Sequence, residues 1–156
     1  MAQLQSDLSE FVGLLNAHRV DFVVVGGHAV AFHGHPRFTG DVDFFLRPTP
    51  ENAKRVLDVL RAFGFGSLEV SVSDLTTHER VIQLGRPPNR IDLLTSISGV
   101  SFADAWDSRV EGKLGDHAVN FIGRDALLLN KAASGREKDK ADIAKLGAIA
   151  SKRRDG

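Results

Sequence analysis

The stretch Val23-Val24-Val25-Gly26-Gly27-His28, followed by Asp41-Val42-Asp43, decides how this chain is read. A β-branched run that ends at two glycines predicts a buried strand stopping at a turn. His28 to Phe32 predicts a short helix opening directly from those glycines, and Asp41 to Leu46 predicts a second strand. Val42, Phe44, Phe45 and Leu46 make this second strand apolar at most positions, which places it in the middle of a sheet. Acids at alternate strand positions point to one face. Aspartate is disfavoured in strands, and two acids on one face repel unless a cation lies between them. Asp41 and Asp43 therefore predict a divalent-cation site; the plainer alternative is a solvated acidic edge. Asp92, in Asn89-Arg90-Ile91-Asp92-Leu93-Leu94, is again an acid inside an apolar strand and is the natural third ligand if the strands are neighbours. Three carboxylates suit Mg²⁺ or Mn²⁺. Asp92 also suits the role of base on an attacking hydroxyl, against the alternative of a strand-end acid facing water.

Glycine pairs close many strands, so Gly26-Gly27 is informative mainly through its setting. It opens a helix, whose first N–H groups favour an anion such as phosphate, and it stands one loop ahead of the acids. The pattern lacks the third spaced glycine of a dinucleotide site and the Gly-Lys-Ser/Thr of a P-loop. The loop Gly34-His35-Pro36-Arg37-Phe38-Thr39-Gly40 leads into the acids. There Arg37 is placed to pair with phosphate and Thr39 to orient a carboxylate; a surface charge is the alternative for Arg37. His28, His33 and His35 cluster in sequence but lack carboxylate or cysteine partners at metal spacing, so packing or phosphate contact is preferred to zinc. Lys131, Arg136, Lys138, Asp139 and Asp142 are the notable charges near the C-terminus. On spacing alone Lys138 and Asp142 read as a surface helix pair, while the apolar stretch before Lys131 predicts a partly buried stem.

Around these motifs the pattern predicts α/β or α+β architecture, with one sheet and helices gathered at the end. Leu4, Leu8, Phe11, Val12 and Leu15 recur at helical spacing. Thr49-Pro50 predicts a cap and first turn, with a helix to Ala62 or Phe63 stopped by Gly64. Strands are expected over Leu68–Val72, Arg80–Leu84 and Arg90–Leu94, the last two separated by a Gly-Arg-Pro-Pro-Asn turn. A helical turn is expected at Phe102–Trp106, then a hairpin from Arg109–Lys113 and Ala118–Phe121. Two helices, Arg124–Ala133 and Lys138–Ala150, hinge at Ser134-Gly135. Residues 1–150 are expected to form a single domain, and 151–156 a frayed basic tail.

With 156 residues, 42% hydrophobic and 26% charged, the chain has an ordinary globular composition. No apolar run is long enough to span a membrane, and the first residues lack a basic-then-apolar leader pattern. The absence of cysteine excludes a disulfide framework, a thiolate metal site and a cysteine nucleophile. A cytoplasmic location is the simplest expectation. Zero net charge hides an asymmetry: residues 1–46 carry two basic residues and five acids, whereas residues 124–154 carry nine basic residues and four acids. The basic third is suited to a polyanion or a triphosphate, or else forms a solvated helical face.

Gly26-Gly27-His28-Ala29-Val30, His33-Gly34 and Arg37-x-Thr39-x-Asp41-Val42-Asp43 together resemble the nucleotidyltransferase superfamily that includes DNA polymerase β. The likeness is to its minimal bacterial branch around the AbiEii-type toxins. Asn130-Lys131-Ala132-Ala133 and Arg136-x-Lys138-Asp139-x-x-Asp142-Ile143 are similar to the C-terminal motif of that branch, so the resemblance spans residues 20–147. It implies a small mixed sheet flanked by helices, with two Mg²⁺ (or Mn²⁺) ions on Asp41, Asp43 and Asp92. It implies that Gly26 and Gly27 hold a triphosphate, with nucleotide or acceptor contacts from His28, Arg37, Thr39, Lys131, Lys138, Asp139 and Asp142. The implied reaction moves NMP from an NTP to a hydroxyl on RNA (a tRNA end), a protein or a small molecule such as an antibiotic, with release of pyrophosphate. A toxin–antitoxin setting with a cognate partner protein is implied as well. Gly-Gly stands where many members have Gly-Ser, which removes a hydroxyl from the phosphate grip. Two other classes fit the same acids: a non-catalytic nucleotide-binding or antitoxin-like module, and a metal-dependent phosphohydrolase.

Overall fold

The computed structural model describes residues 6–34, 40–66, 68–85 and 90–155. In chain order the elements are α1 (Ser6–Ala17), β1 (Phe22–Val25), α2 (Gly26–Phe32), β2 (Val42–Leu46), α3 (Pro50–Ala62), α4 (Val72–Thr76), β3 (Val81–Leu84), β4 (Ile91–Leu94), α5 (Phe102–Asp107), β5 (Val110–Leu114), β6 (His117–Phe121), α6 (Arg124–Ser134) and α7 (Glu137–Asp155). The strands form one mixed six-stranded sheet in the order β3-β4-β2-β1-β6-β5. β2 is central as its apolar residues predict, antiparallel to β1 and parallel to β4. The expected α/β class and the helix-flanked mixed sheet are what the chain adopts.

Alternation along β2 divides the core into two layers. Phe44 packs towards α1 and α3, 5.9 Å from Phe11 and 5.4 Å from Phe22 between ring centroids, and Phe11 in turn meets Phe63 edge-on at 5.2 Å. Phe45 points the other way and meets Phe102 of α5 at 5.1 Å. Asp41 and Asp43 share the alternation of Phe45, so the acids lie on the face that α5 covers further along.

Local chemistry sets the helix ends. The Thr49 hydroxyl accepts from the Asn52 N–H at 3.3 Å with Pro50 in the first turn, the cap the sequence predicts. Gly135, at φ +68°, closes α6 in the left-handed conformation. α2 starts at Gly26 rather than at His28, so the glycines are its first turn and no side chain caps it. One expected element is absent: Leu68–Val72 is not a strand. Ser71 and Asp74 form a reciprocal capping box that starts α4 at Val72, and this local bonding overrides the β-branched Val70 and Val72. Residues 86–89 of the expected Pro-Pro turn lie outside the described residues.

Asn52 is the polar pin of this arrangement. It is buried, accepts from the Asp21 N–H at 2.8 Å, and donates to the carbonyls of Asp21 and Arg47 at 3.0 Å each. One side chain thus joins α3 to the entry of β1 and the exit of β2. The Arg47–Asp21 ion pair, 2.8 Å, closes the same corner from outside. Removing Asn52 would leave three backbone groups without this partner. Asn52→Ala is expected to lower the unfolding free energy by about 3 kcal/mol in urea denaturation, with no change in m-value.

Candidate active site

The acids meet because of strand register. Asp43 lies directly opposite Asp92 in the parallel β2–β4 pair, about 5 Å apart along the hydrogen-bonding direction. Asp41, two residues earlier, falls on the same face just ahead of β2. On the other side β1 runs antiparallel and places Val25 opposite Asp43, so Gly26 is the next residue past the pairing. Gly26 has φ +70°, and a β-carbon there would collide with the Asp43 carboxylate. The glycine is therefore required twice, by the backbone turn and by the space the acid fills.

Crowding changes the proton affinity of Asp43. Burial, a side-chain hydrogen bond with Asp92, and the charges of Asp92 and Asp41 push its pKa up to about 7, with Lys138 pulling the other way. Arg90 supplies the nearest compensation. Its Nε donates to Asp92 Oδ1 at 2.9 Å, and its Nη2 donates to Asp92 Oδ2 at 3.3 Å and to Asp41 Oδ2 at 3.2 Å. These contacts raise the pKa of Arg90 itself, so it stays charged. The sequence reading missed Arg90, although its place two residues before Asp92 already puts both on one strand face.

Lys138 lies at the start of α7, exposed and close enough to weigh on Asp43. Its neighbours in the predicted nucleotide motif are placed differently. Lys131, Asp139 and Asp142 are each at most 3% exposed and turned onto one another. Lys131 Nζ lies 3.2 Å from both Asp139 Oδ1 and Asp142 Oδ2. Arg136 reaches Asp139 from outside through Nε at 2.7 Å, and its backbone N–H also donates to that carboxylate at 3.2 Å. Burial alone would push Asp139 up, but hydrogen bonds from Arg136, Ser134 and Lys131 outweigh it and hold the carboxyl well below the usual range. Lys131 is thus more deeply buried than predicted. Asp142 sits inside against Lys131, so its four-residue spacing from Lys138 does not mark a solvated pair.

His28 is half-buried, and burial lowers its pKa, so it offers a neutral ring. His33 hydrogen-bonds the Ile122 carbonyl through Nε2 at 2.7 Å, in keeping with packing rather than zinc. Arg37 and Thr39, with His35, lie outside the described residues. Among the described residues no three His, Cys, Asp or Glu side chains stand at metal-ligand spacing. The donor set nevertheless fits a divalent cation. It is all oxygen, with three carboxylates on one face, and burial followed by the Asp92 and Asp41 neighbours raises the Asp43 pKa in the absence of a cation.

The chain thus sets clustered acids on a central strand of a mixed sheet, beside a glycine-opened helix. A family model described as nucleotidyl transferase of unknown function (DUF2204) matches residues 4–155, and the chain belongs to that family and is a nucleotidyltransferase. Its fold is similar to that of the lincosamide antibiotic adenylyltransferase LnuA in its lincomycin-bound crystal structure. The TM-score is 0.57 and the identity 16%, over 96% of this chain and 99% of that one. An antigenic nucleotidyltransferase-like protein from Paracoccidioides brasiliensis is similar at TM-score 0.55 and 20% identity, over 95% of this chain and 79% of that one. A comparison with curated proteins gives no match.

Two outcomes follow from the Gly26–Asp43 contact and the crowding of acids. Gly26→Ala is expected to destabilise the fold by about 2 kcal/mol or more in chemical denaturation, from the left-handed backbone and the clash together. Between pH 3.8 and about 7 the folded chain holds a proton on Asp43 that the unfolded chain has lost. Stability is therefore drained as pH rises through that window. In metal-free buffer Asp43→Asn is expected to melt above the wild type at pH 8, with the gap closing as pH falls below that window.

Proposed function

We propose that this enzyme transfers NMP from an NTP to a hydroxyl acceptor, with Asp41, Asp43 and Asp92 as its catalytic carboxylates. The observation that carries the reading is the register of Asp43 against Asp92 with Asp41 one alternation earlier. Those three side chains would hold Mg²⁺ or Mn²⁺, two ions in the fullest form. When bound, the metal lowers the pKa of the attacking hydroxyl and neutralises charge on the departing phosphates.

The remaining steps fall to the chain itself. The backbone at Gly26 and Gly27 presents first-turn N–H groups to the triphosphate, beside the neutral ring of His28. Lys138 faces the same phosphates from α7. Lys131, Asp139 and Asp142 act through it, because their mutual ion pairs fix the turn between α6 and α7 on which Lys138 stands. Arg37 and Thr39 are assigned to the phosphate and to the orientation of an acid from their place in the motif. The acceptor oxygen forms a bond to the α-phosphorus, the bond from that phosphorus to the bridging oxygen of the β-phosphate breaks, and pyrophosphate leaves. Asp92 receives the hydroxyl proton.

For the acceptor we favour a small hydroxyl-bearing molecule. Two features support this: the likeness to LnuA, a lincosamide adenylyltransferase, over the full length of both chains, and a net charge of zero, which gives no strong attraction to nucleic acid. A second reading, a toxin-type enzyme acting on tRNA in the cytoplasm under a cognate partner protein, rests on the AbiEii-like motifs and the basic C-terminal third.

Calorimetric titration of each NTP, with and without Mg²⁺, tests the assignment. Binding that needs Mg²⁺, is lost in Asp43→Asn and is weakened about ten-fold or more in Lys138→Ala supports it. NTP binding unaffected by either variant refutes the site. Transfer of label from α-³²P-NTP to a lincosamide-like alcohol or to total tRNA separates the two acceptor classes, and label released only as free NMP marks a phosphohydrolase.

A further inference from the structure

We propose that Arg90 is a tethered stand-in for the metal: its guanidinium holds Asp41 and Asp92 together in the cation-free enzyme and must leave them before a divalent cation can bind. The inference rests on the reading of Asp41, Asp43 and Asp92 as cation ligands, and adds a residue that competes for two of them.

Geometry makes the two occupants exclusive. A single nitrogen, Nη2, lies between Asp41 Oδ2 at 3.2 Å and Asp92 Oδ2 at 3.3 Å. A bridging Mg²⁺ would need oxygens at about 2.1 Å from its centre, so the carboxylates must close on a smaller ion where the guanidinium now spaces them. The lack of any metal-spaced trio among the described residues agrees with an arginine-spaced arrangement. Arg90 Nε also uses Asp92 Oδ1 at 2.9 Å, so both oxygens of the third acid are engaged by one fork.

The backbone lets this fork move on its own. The Arg90 carbonyl accepts from the Val42 N–H at 3.0 Å, which anchors the residue to β2 while its side chain, 28% exposed, has solvent to turn into. Displacement is then a rotamer change of Arg90, after which the acid side chains close on the ion while the strands stay in place. A latch of this kind keeps mutually repelling carboxylates gathered while no metal is present. It also scales apparent cation affinity down to the unlatched fraction of molecules.

Mg²⁺ alone and Mn²⁺ alone are titrated calorimetrically into metal-free wild type, Arg90→Lys and Arg90→Gln. With about nine-tenths of molecules latched, both variants are expected to bind about ten-fold more tightly than wild type. Both should also melt lower than wild type without metal and gain more from it. Lysine keeps the charge but not the fork, so tightening in Gln with wild-type affinity in Lys would reduce the effect to net charge and overturn the latch. Weaker binding in both would also overturn it, leaving Arg90 as a residue that orients the acids for metal. A second readout needs no variant: the Arg90 side-chain Nε–H resonance of the wild type should shift as Mg²⁺ is added, and a resonance unmoved at saturation refutes displacement. Absence of cation binding in all three proteins would instead remove the metal reading itself, a distinct result from a failed latch.

Discussion

Three carboxylates gathered at the middle of a sheet repel one another, and much of this molecule is arranged around containing that repulsion. Asp43 keeps a proton to about neutral pH, Arg90 spans its two neighbours, and Lys138 contributes from α7. The backbone answers the same constraint. Gly26 gives up a side chain so that the Asp43 carboxylate has room, and α2 begins at that glycine without a side-chain cap. The repulsion is thus met by a proton, a guanidinium and an ammonium within an apolar sheet.

A second charge cluster, on the far side of the α6–α7 turn, is of the opposite kind. Lys131, Asp139 and Asp142 satisfy one another in a nearly dry interior, with the exposed Arg136 reaching Asp139 from the surface. A buried ion-pair group of this type adds little net stability compared with apolar packing, but breaking it leaves a bare charge and is costly. Its effect is to make the turn geometry single-valued. Lys138, exposed in the first turn of α7 beside Asp139, is among the residues the cluster holds in place.

Much of the fold was legible in particular residues. The apolar positions of β2 declared it central, Thr49-Pro50 declared the start of α3, and Gly135 declared the break between the last helices. Leu68–Val72 misled because β-branched residues signal a strand only when no local side-chain bond competes, and Ser71 with Asp74 supplies one. The acids of the site were legible from strand alternation, and Asp92 from its odd place among apolar residues. Which acid opposes which was not, because register depends on pairing between distant segments. For the same reason the closeness of Gly26 to Asp43 could not be read from either residue. The inward turn of Lys131 onto Asp139 and Asp142 was hidden because helical spacing within one element says nothing about a partner across a turn.

The order of strands has a consequence for how such a chain comes into being. β1, β2 and the glycine turn are made first, yet β1 completes its neighbourhood only when Val24 meets Phe121, and Ser9 reaches His117 across 108 residues. Asp41 meets Arg90 across 49 residues. On a ribosome the first half of the sheet must therefore wait, with the edges of β1 and β2 open, until most of the chain has emerged. Pairings this distant in sequence form slowly, since a long loop is closed before any contact rewards it. The acids lie at β2 and β4, so a nascent chain cut short before β4 would carry Asp41 and Asp43 without the Asp92 that completes the trio.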